Sequence, residues 1–225
     1  MHVAILMANT DESGFAQRHP KDGEKFARLL GALRPDWRFT TIAVKDGVFP
    51  ADLADYDGFV ITGSPASVHD DAPWVHRLMQ VIRDIRDSDL PLFGACFGHQ
   101  AIAKALGGKV ERNPGGWVFG LAETQLEGTP IRLYAAHVEQ VTQLPEGAEP
   151  LGGNADCPFG AYRIGRHVLT TQYHPEITED FARALVEEYR DKLPPEVAGR
   201  AEASLNRPAE TGRMAQRIVD FFESA

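Results

Sequence analysis

Leu90-Pro91-Leu92-Phe93-Gly94-Ala95-Cys96-Phe97-Gly98 is the stretch that decides the architecture. Leu90 to Ala95 is a short apolar run, as expected of a strand buried on both faces. Gly98 to Leu106 then reads as a helix, ended by Gly107-Gly108, since glycine favours the left-handed stop of a helix. The same alternation runs through the preceding half of the chain. Val3 to Ala8 reads as a first strand and Asn9 to Asp22 as a polar loop. Asp22 can cap a helix that sets Phe26, Leu29, Leu30 and Leu33 on one face. Phe39 to Val44 and Gly58 to Thr62 read as further strands, the latter ending at Gly63-Ser64-Pro65. Pro73 to Asp87 is amphipathic, with Trp74, Leu78, Val81, Ile82 and Ile85 turned inward. Strands alternating with crossover helices predict an α/β fold, an open and mostly parallel sheet with helices on both faces.

The middle of the chain changes character. Lys109 to Tyr173 holds short β-like segments divided by Gly and Pro, clearest at Ile131 to Ala136 and His167 to Tyr173. Arg163 to His167 reads as a hairpin connection, so extra antiparallel strands are expected at one edge. Helical pattern returns at Thr178 to Lys192, stops at Pro194-Pro195, and resumes from about Pro208 to Phe222. There Met214, Ile218 and Phe221 or Phe222 point inward. With 225 residues and no low-complexity linker, a single domain over 1–225 is expected, residues 193–225 forming a C-terminal helical extension.

Composition narrows the chemistry. The 23 basic residues are outnumbered by 32 acidic ones, a net charge of −9, which argues against sequence-independent nucleic-acid binding and against an anionic membrane surface. Two cysteines make no disulfide framework, and no CxxC or HExxH marks a metal site. No metal and no cofactor are expected. The first apolar run is too short to span a bilayer and lacks a signal peptide's basic flank, so a cytoplasmic location is expected.

Gly94-x-Cys96-x-Gly98 is the cysteine form of a nucleophile elbow. Its glycines allow a sharp turn that lifts the thiol above the sheet edge, at a helix N-terminus where thiolate is favoured. A thiolate needs an acid–base partner. Tyr173-His174-Pro175-Glu176 follows a strand-like run. Residues two apart in extended chain share a side, and Pro175 keeps His174 out of the helical region, so Glu176 can hold the His174 imidazole. His99, His69, His76, Cys157 and the arginines at 200, 207, 213 and 217 are read as structural or solvated.

Taken together, Gly-Ala-Cys-Phe-Gly-His-Gln at 94–100 and Gln-Tyr-His-Pro-Glu at 172–176 resemble the class I, triad-type glutamine amidotransferase family. Gly63-Ser64-Pro65-Ala66-Ser67-Val68 resembles a loop of the GMP synthetase glutaminase domain. Asn154 to Pro158 and Phe159 to Gly165 resemble the same branch, and Gly115-Gly116-Trp117 its stand-alone members. The resemblance implies a flavodoxin-like amidotransferase domain with Cys96 as nucleophile, His174 as acid and base, and Glu176 as its orienter. It implies an oxyanion hole from the backbone of Phe97 and of the Gly63-Ser64 turn. Gln100 would contact substrate, as would His137, Val138 and Glu139, which stand where the family has His-Gly-Asp.

The implied substrate is glutamine or another γ-glutamyl small molecule, with ammonia passed to a separate synthase chain, since no P-loop motif follows the triad. Ala136-His137-Val138-Glu139 departs from the family's Ser-His-Gly-Asp. That leaves open a γ-glutamyl peptide or amine hydrolase or transferase. A non-catalytic binding or regulatory relative is the third reading.

Overall fold

Val3, Ala4, Ile5 and Leu6 are all fully buried, so the first strand, β1 (His2–Leu6), has no solvent face. The computed structural model, which describes residues 1–225, places its alternate side chains in two cores, as the pleat of a strand requires. Ala4 and Leu6 pack with Phe59, Ile61, Leu78 and Ile102. Val3 and Ile5 pack on the opposite side with Phe26, Leu30, Phe93 and Ile218.

Between β1 and its first crossover, the expected loop contains a one-turn helix, α1 (Gly14–Gln17), capped by the Ser13 hydroxyl. In α2 (Asp22–Gly31) the cap is Lys21, and Asp22 is the first helical residue. The Asp22 carboxylate accepts from Asn9 Nδ2 and Lys25 Nζ, each at 2.8 Å, so it ties the loop to the helix. Because α2 ends at Gly31, Leu33 falls beyond it and is 39% exposed, off the buried face assigned to it.

Strands β2 (Arg38–Ile42), β3 (Gly58–Ile61) and β4 (Leu92–Ala95) lie parallel in one sheet with β1. Helices α3 (Pro73–Asp87) and α4 (Phe97–Ala105) cover the core that holds Leu6. Trp74 is only half-buried, resting 5.6 Å from the Phe97 ring between centroids.

The middle is all β. β5 (Lys109–Arg112), β6 (Val118–Leu126), β7 (Thr129–His137) and β8 (Glu139–Gln143) form two antiparallel ribbons, β5 with β8 and β6 with β7. β9 (Ala148–Gly152), β10 (Ala161–Ile164) and β11 (Val168–Thr171) complete a seven-stranded sheet ordered β2-β1-β3-β4-β11-β10-β9. β11 runs parallel to β4, while β10 and β9 are antiparallel. The architecture is therefore the expected mostly parallel sheet with antiparallel strands at one edge.

Thr178 caps α5 (Glu179–Tyr189). A further helix, α6 (Pro195–Ser204), stands where the sequence reading stopped at Pro194-Pro195. Proline is favoured at a first helical position, where its missing N–H costs no bond, so the second proline starts a helix rather than forbidding one. Both helices pack on the outer face of the β6–β7 ribbon through Tyr134, Val186 and Ala201. α7 (Thr211–Ser224) buries Met214, Ile218, Phe221 and Phe222 against the central sheet. No helix is long and apolar enough to cross a membrane.

In an open parallel sheet, binding crevices lie outside the C-terminal ends of the strands. Here β3 leads into Gly63, β4 into Cys96 and β11 toward His174, so the three motifs are delivered to one edge.

Candidate active site

β4 ends at Ala95 and α4 begins at Phe97, which leaves Cys96 to turn the chain alone. Its φ of 50° and ψ of −105° lie where side-chain-bearing residues are strained by roughly 1–3 kcal/mol. Close packing explains both flanking glycines. A Cβ at Gly98 would lie 2.4 Å from the Ile61 carbonyl oxygen, and one at Gly94 would lie 2.7 Å from the Gly98 carbonyl carbon. The Cys96 N–H donates to Thr171 O at 2.9 Å, which binds the elbow to β11. Cys96 is 5% exposed. As the first residue of α4, Phe97 has an N–H with no partner inside the helix, and these free amides favour negative charge beside them.

His174 is fixed from both sides. Its N–H donates to Tyr134 O of β7 at 2.9 Å, and its Nδ1 lies 2.7 Å from Glu176 Oε1. Both side chains are buried, and His174 Nε2 has no hydrogen-bond partner. Nδ1 therefore carries its proton toward the carboxylate, and Nε2 is left for chemistry. Burial opposes charge on this ring. The interactions with Cys96 and Glu176 outweigh it, holding the imidazole well above its ordinary 6.5.

Gly63 forms the third wall. A Cβ there would lie 2.8 Å from His174 Cε1 and 3.6 Å from Cys96 Cβ. The Ser64 hydroxyl accepts from the Ala66 N–H at 3.1 Å, which fixes the turn. Gly63→Ala should push the His174 ring aside while sparing the sheet. A displacement of about 1 Å can cost on the order of 10²-fold in rate. We expect that loss in kcat with a near-unchanged melting temperature, measured by steady-state kinetics and thermal unfolding.

The other residues implied by the resemblance meet one another behind the elbow. Gln100 Nε2 donates to Glu139 O at 2.7 Å and to Gln172 Oε1 at 3.1 Å. His137 Nδ1 donates to the same Glu139 carbonyl at 3.0 Å. The Glu139 carboxylate accepts from Ser67 Oγ at 2.8 Å, and Val138 O accepts from the Asn113 N–H at 2.7 Å. Burial, reinforced by nearby imidazole charge, holds His99 down at about 3; burial likewise holds His137 down at about 4, so both are neutral at pH 7. Of this strand end, Ala136 borders the cleft in front of Cys96, and Gln100, His137, Val138 and Glu139 do not.

That cleft, of about 180 Å³, contains Cys96, His174, Glu176, Gly63 and Ser64 at its inner end. Its outer walls bring in Phe15, Phe119, Phe181 and Tyr189, which sequence reasoning missed. No motif or periodicity singled them out: Phe15 lies in a stretch read as loop, Phe119 in a β-like one, and Phe181 and Tyr189 in a helix. No group of three or more His, Cys, Asp or Glu is placed to hold a metal ion.

A family model matches the greater part of the chain. Glutamine amidotransferase class-I covers residues 35–186, and the chain belongs to that family. Gamma-glutamyl peptidase 4 of Arabidopsis thaliana is 33% identical over 78% of this chain and 76% of its own length. A glutamine-hydrolyzing GMP synthase of Porphyromonas gingivalis is 34% identical over 57% of this chain, which spans only 26% of that enzyme. In fold, the crystal structure of a glutamine amido transferase from Methylobacillus flagellatus superposes with a TM-score of 0.78 at 21% identity, covering 99% of this chain and 93% of the other.

Proposed function

We propose that this chain hydrolyses the γ-carboxamide of a γ-glutamyl compound through a thioester on Cys96. The observation that carries the proposal is the unpartnered Nε2 of a buried His174, held by Glu176 beside a cysteine at a strained elbow.

The chemistry follows from those groups. The Cys96 thiolate attacks the carbonyl carbon, and the oxygen gains a negative charge. Backbone N–H groups of Phe97 and the Gly63-Ser64 turn stabilise it, preorganised at the strand ends. The carbon–nitrogen bond then breaks as the His174 imidazolium gives its Nε2 proton to the departing nitrogen. Water enters, His174 takes one of its protons, and hydroxide displaces the thiolate to leave a free γ-carboxylate. Glu176 keeps the imidazole in its tautomer and offsets its positive charge.

Glutamine is the first substrate reading, with ammonia released to a separate acceptor chain. A γ-glutamyl peptide or amine is the second, favoured by the likeness to a gamma-glutamyl peptidase over most of the chain and by the outer walls of the cleft. The test is covalent labelling with a γ-glutamyl chloroketone, read by intact mass and peptide mapping. One adduct is expected, on Cys96, and none in Cys96→Ala. Cys157 should stay unlabelled, because burial pushes its thiol up to about 12. No adduct on the native protein at neutral pH would mean a binding or regulatory role instead.

A further inference from the structure

Besides the reacting groups, the cleft is bordered by two aromatic clusters set among polar side chains. Phe15 of α1, His19 and Phe181 of α5 form one cluster, with Phe15 and Phe181 centroids 5.7 Å apart and His19 edge-on to Phe181 at 5.0 Å. Trp117, Phe119 and Tyr189 form a second, at 6.2 Å and 5.3 Å. All six border the same cleft as Cys96 and His174. Phe15 is buried, while Trp117, Phe119, Phe181 and Tyr189 remain half-buried; Lys25 Nζ stands 3.5 Å over the Phe181 ring and Lys192 Nζ 5.0 Å over Tyr189, while no cation covers Trp117 and Phe119 on the cleft wall. Exposed aromatic area is unfavourable unless something covers it. Lys25 and Lys45, both nearly buried, also border the cleft; Lys25 pairs with Asp22, and Lys45 with Glu12 and Asp46. These charges are satisfied among themselves and do not make an anion site.

His174 borders the cleft, and in the thioester reading it protonates the departing nitrogen, so a substituent on that nitrogen can reach the aromatic clusters that border the same cleft. Glutamine leaves ammonia, which is too small to reach them. From this geometry we infer that the outer cleft is a leaving-group subsite for an amine bearing an aromatic or bulky apolar side chain. The substrate class is thereby a γ-glutamyl amide of such an amine or amino acid. This rests on the thioester reading above, and its bond changes are the same. The carbon–nitrogen bond breaks, the nitrogen takes the His174 proton, and water supplies the γ-carboxylate oxygen. Binding energy from the ring is gained at the reacting end of the substrate, where it can orient the carbonyl over the thiol.

The experiment compares kcat/KM for γ-glutamyl-phenylalanine, γ-glutamyl-glycine and L-glutamine on the native protein, alongside chloroketone labelling of Cys96. A preference of about 10- to 100-fold for the phenylalanine compound over the glycine one is expected, the gain from covering one aromatic side chain. Trp117→Ala and Phe181→Ala should each reduce that ratio at least about fivefold, with folding checked by thermal unfolding. Trp117→Leu serves if the alanine variant does not fold. Equal kcat/KM for the two peptides, or a preference for glutamine, with Cys96 still labelled, overturns the subsite and leaves the thioester mechanism standing. No labelling and no turnover of any of the three overturns both.

Discussion

Cys96→Ala should leave the fold in place and lower turnover of any γ-glutamyl substrate by about 10⁴- to 10⁶-fold, the scale seen when a nucleophile is removed. A second expectation separates the catalytic from the conformational role of this position. At φ 50° and ψ −105°, alanine keeps the backbone strain that cysteine bears, whereas glycine does not. Relief of roughly 1–3 kcal/mol is opposed by the roughly 0.5–1 kcal/mol that glycine loses to unfolded-chain entropy. Cys96→Gly should therefore be more stable than Cys96→Ala by up to about 2 kcal/mol, a rise of up to about 4–8 °C in melting temperature for a chain of this size. Both variants should be inactive. A glycine variant that melts below the alanine variant would show that the elbow stores no strain. Retained turnover in either would remove Cys96 from the mechanism.

Glu176→Gln should lower kcat on the order of 10³-fold with little change in KM, because the carboxylate acts on substrate only through His174. The sign of its pH dependence follows from the raised His174 pKa. Burial works against the charged ring, and the interactions with Cys96 and Glu176 outweigh that cost. Its contribution to stability is complete below the unfolded value of about 6.5, and it is lost as pH rises through the raised folded value. The gap in stability between native and Glu176→Gln protein, about 1.5–3 kcal/mol for a hydrogen bond to a charged group, should be widest near pH 6 and narrow at alkaline pH. The alkaline limb of the native rate profile, where the imidazolium loses its proton, should move to lower pH in the variant. Denaturant unfolding from pH 6 to 10 and a rate profile over the same range measure both. A gap that does not change with pH would mean that Glu176 acts as packing and not as a charge partner.

The pattern of recognition along the chain has a physical basis. β1, β3 and β4 were legible as short apolar runs buried on both faces, α3 because it buries one face at the helical period, and Gly94 and Gly98 because close backbone packing excludes a side chain. His174 and Glu176 were legible as a pair because two residues of extended chain bring them to one side. α6 was missed where a proline pair masked a helix start. The end of α2 was misjudged at Leu33, where an apolar residue simply follows the last turn. Gln100, His137 and Glu139 are a different case. Family pattern assigned them to substrate, and in the structure they hold one another, Gln172 and Ser67 behind the elbow.

The sequence by itself therefore determined the alternation of strand and helix, the elbow at Cys96 and the local pairing of His174 with Glu176. All of these are set by residues close together in the chain, whose geometry follows from backbone dihedrals and side-chain period. Tertiary structure alone decided that β3, β4 and β11 end side by side, so that Gly63, Cys96 and His174 touch. It also decided that α1, α5 and β6, from distant parts of the chain, wall one aromatic cleft. Such contacts depend on sheet order and on how helices pack across it, and no period or motif in the sequence specifies either.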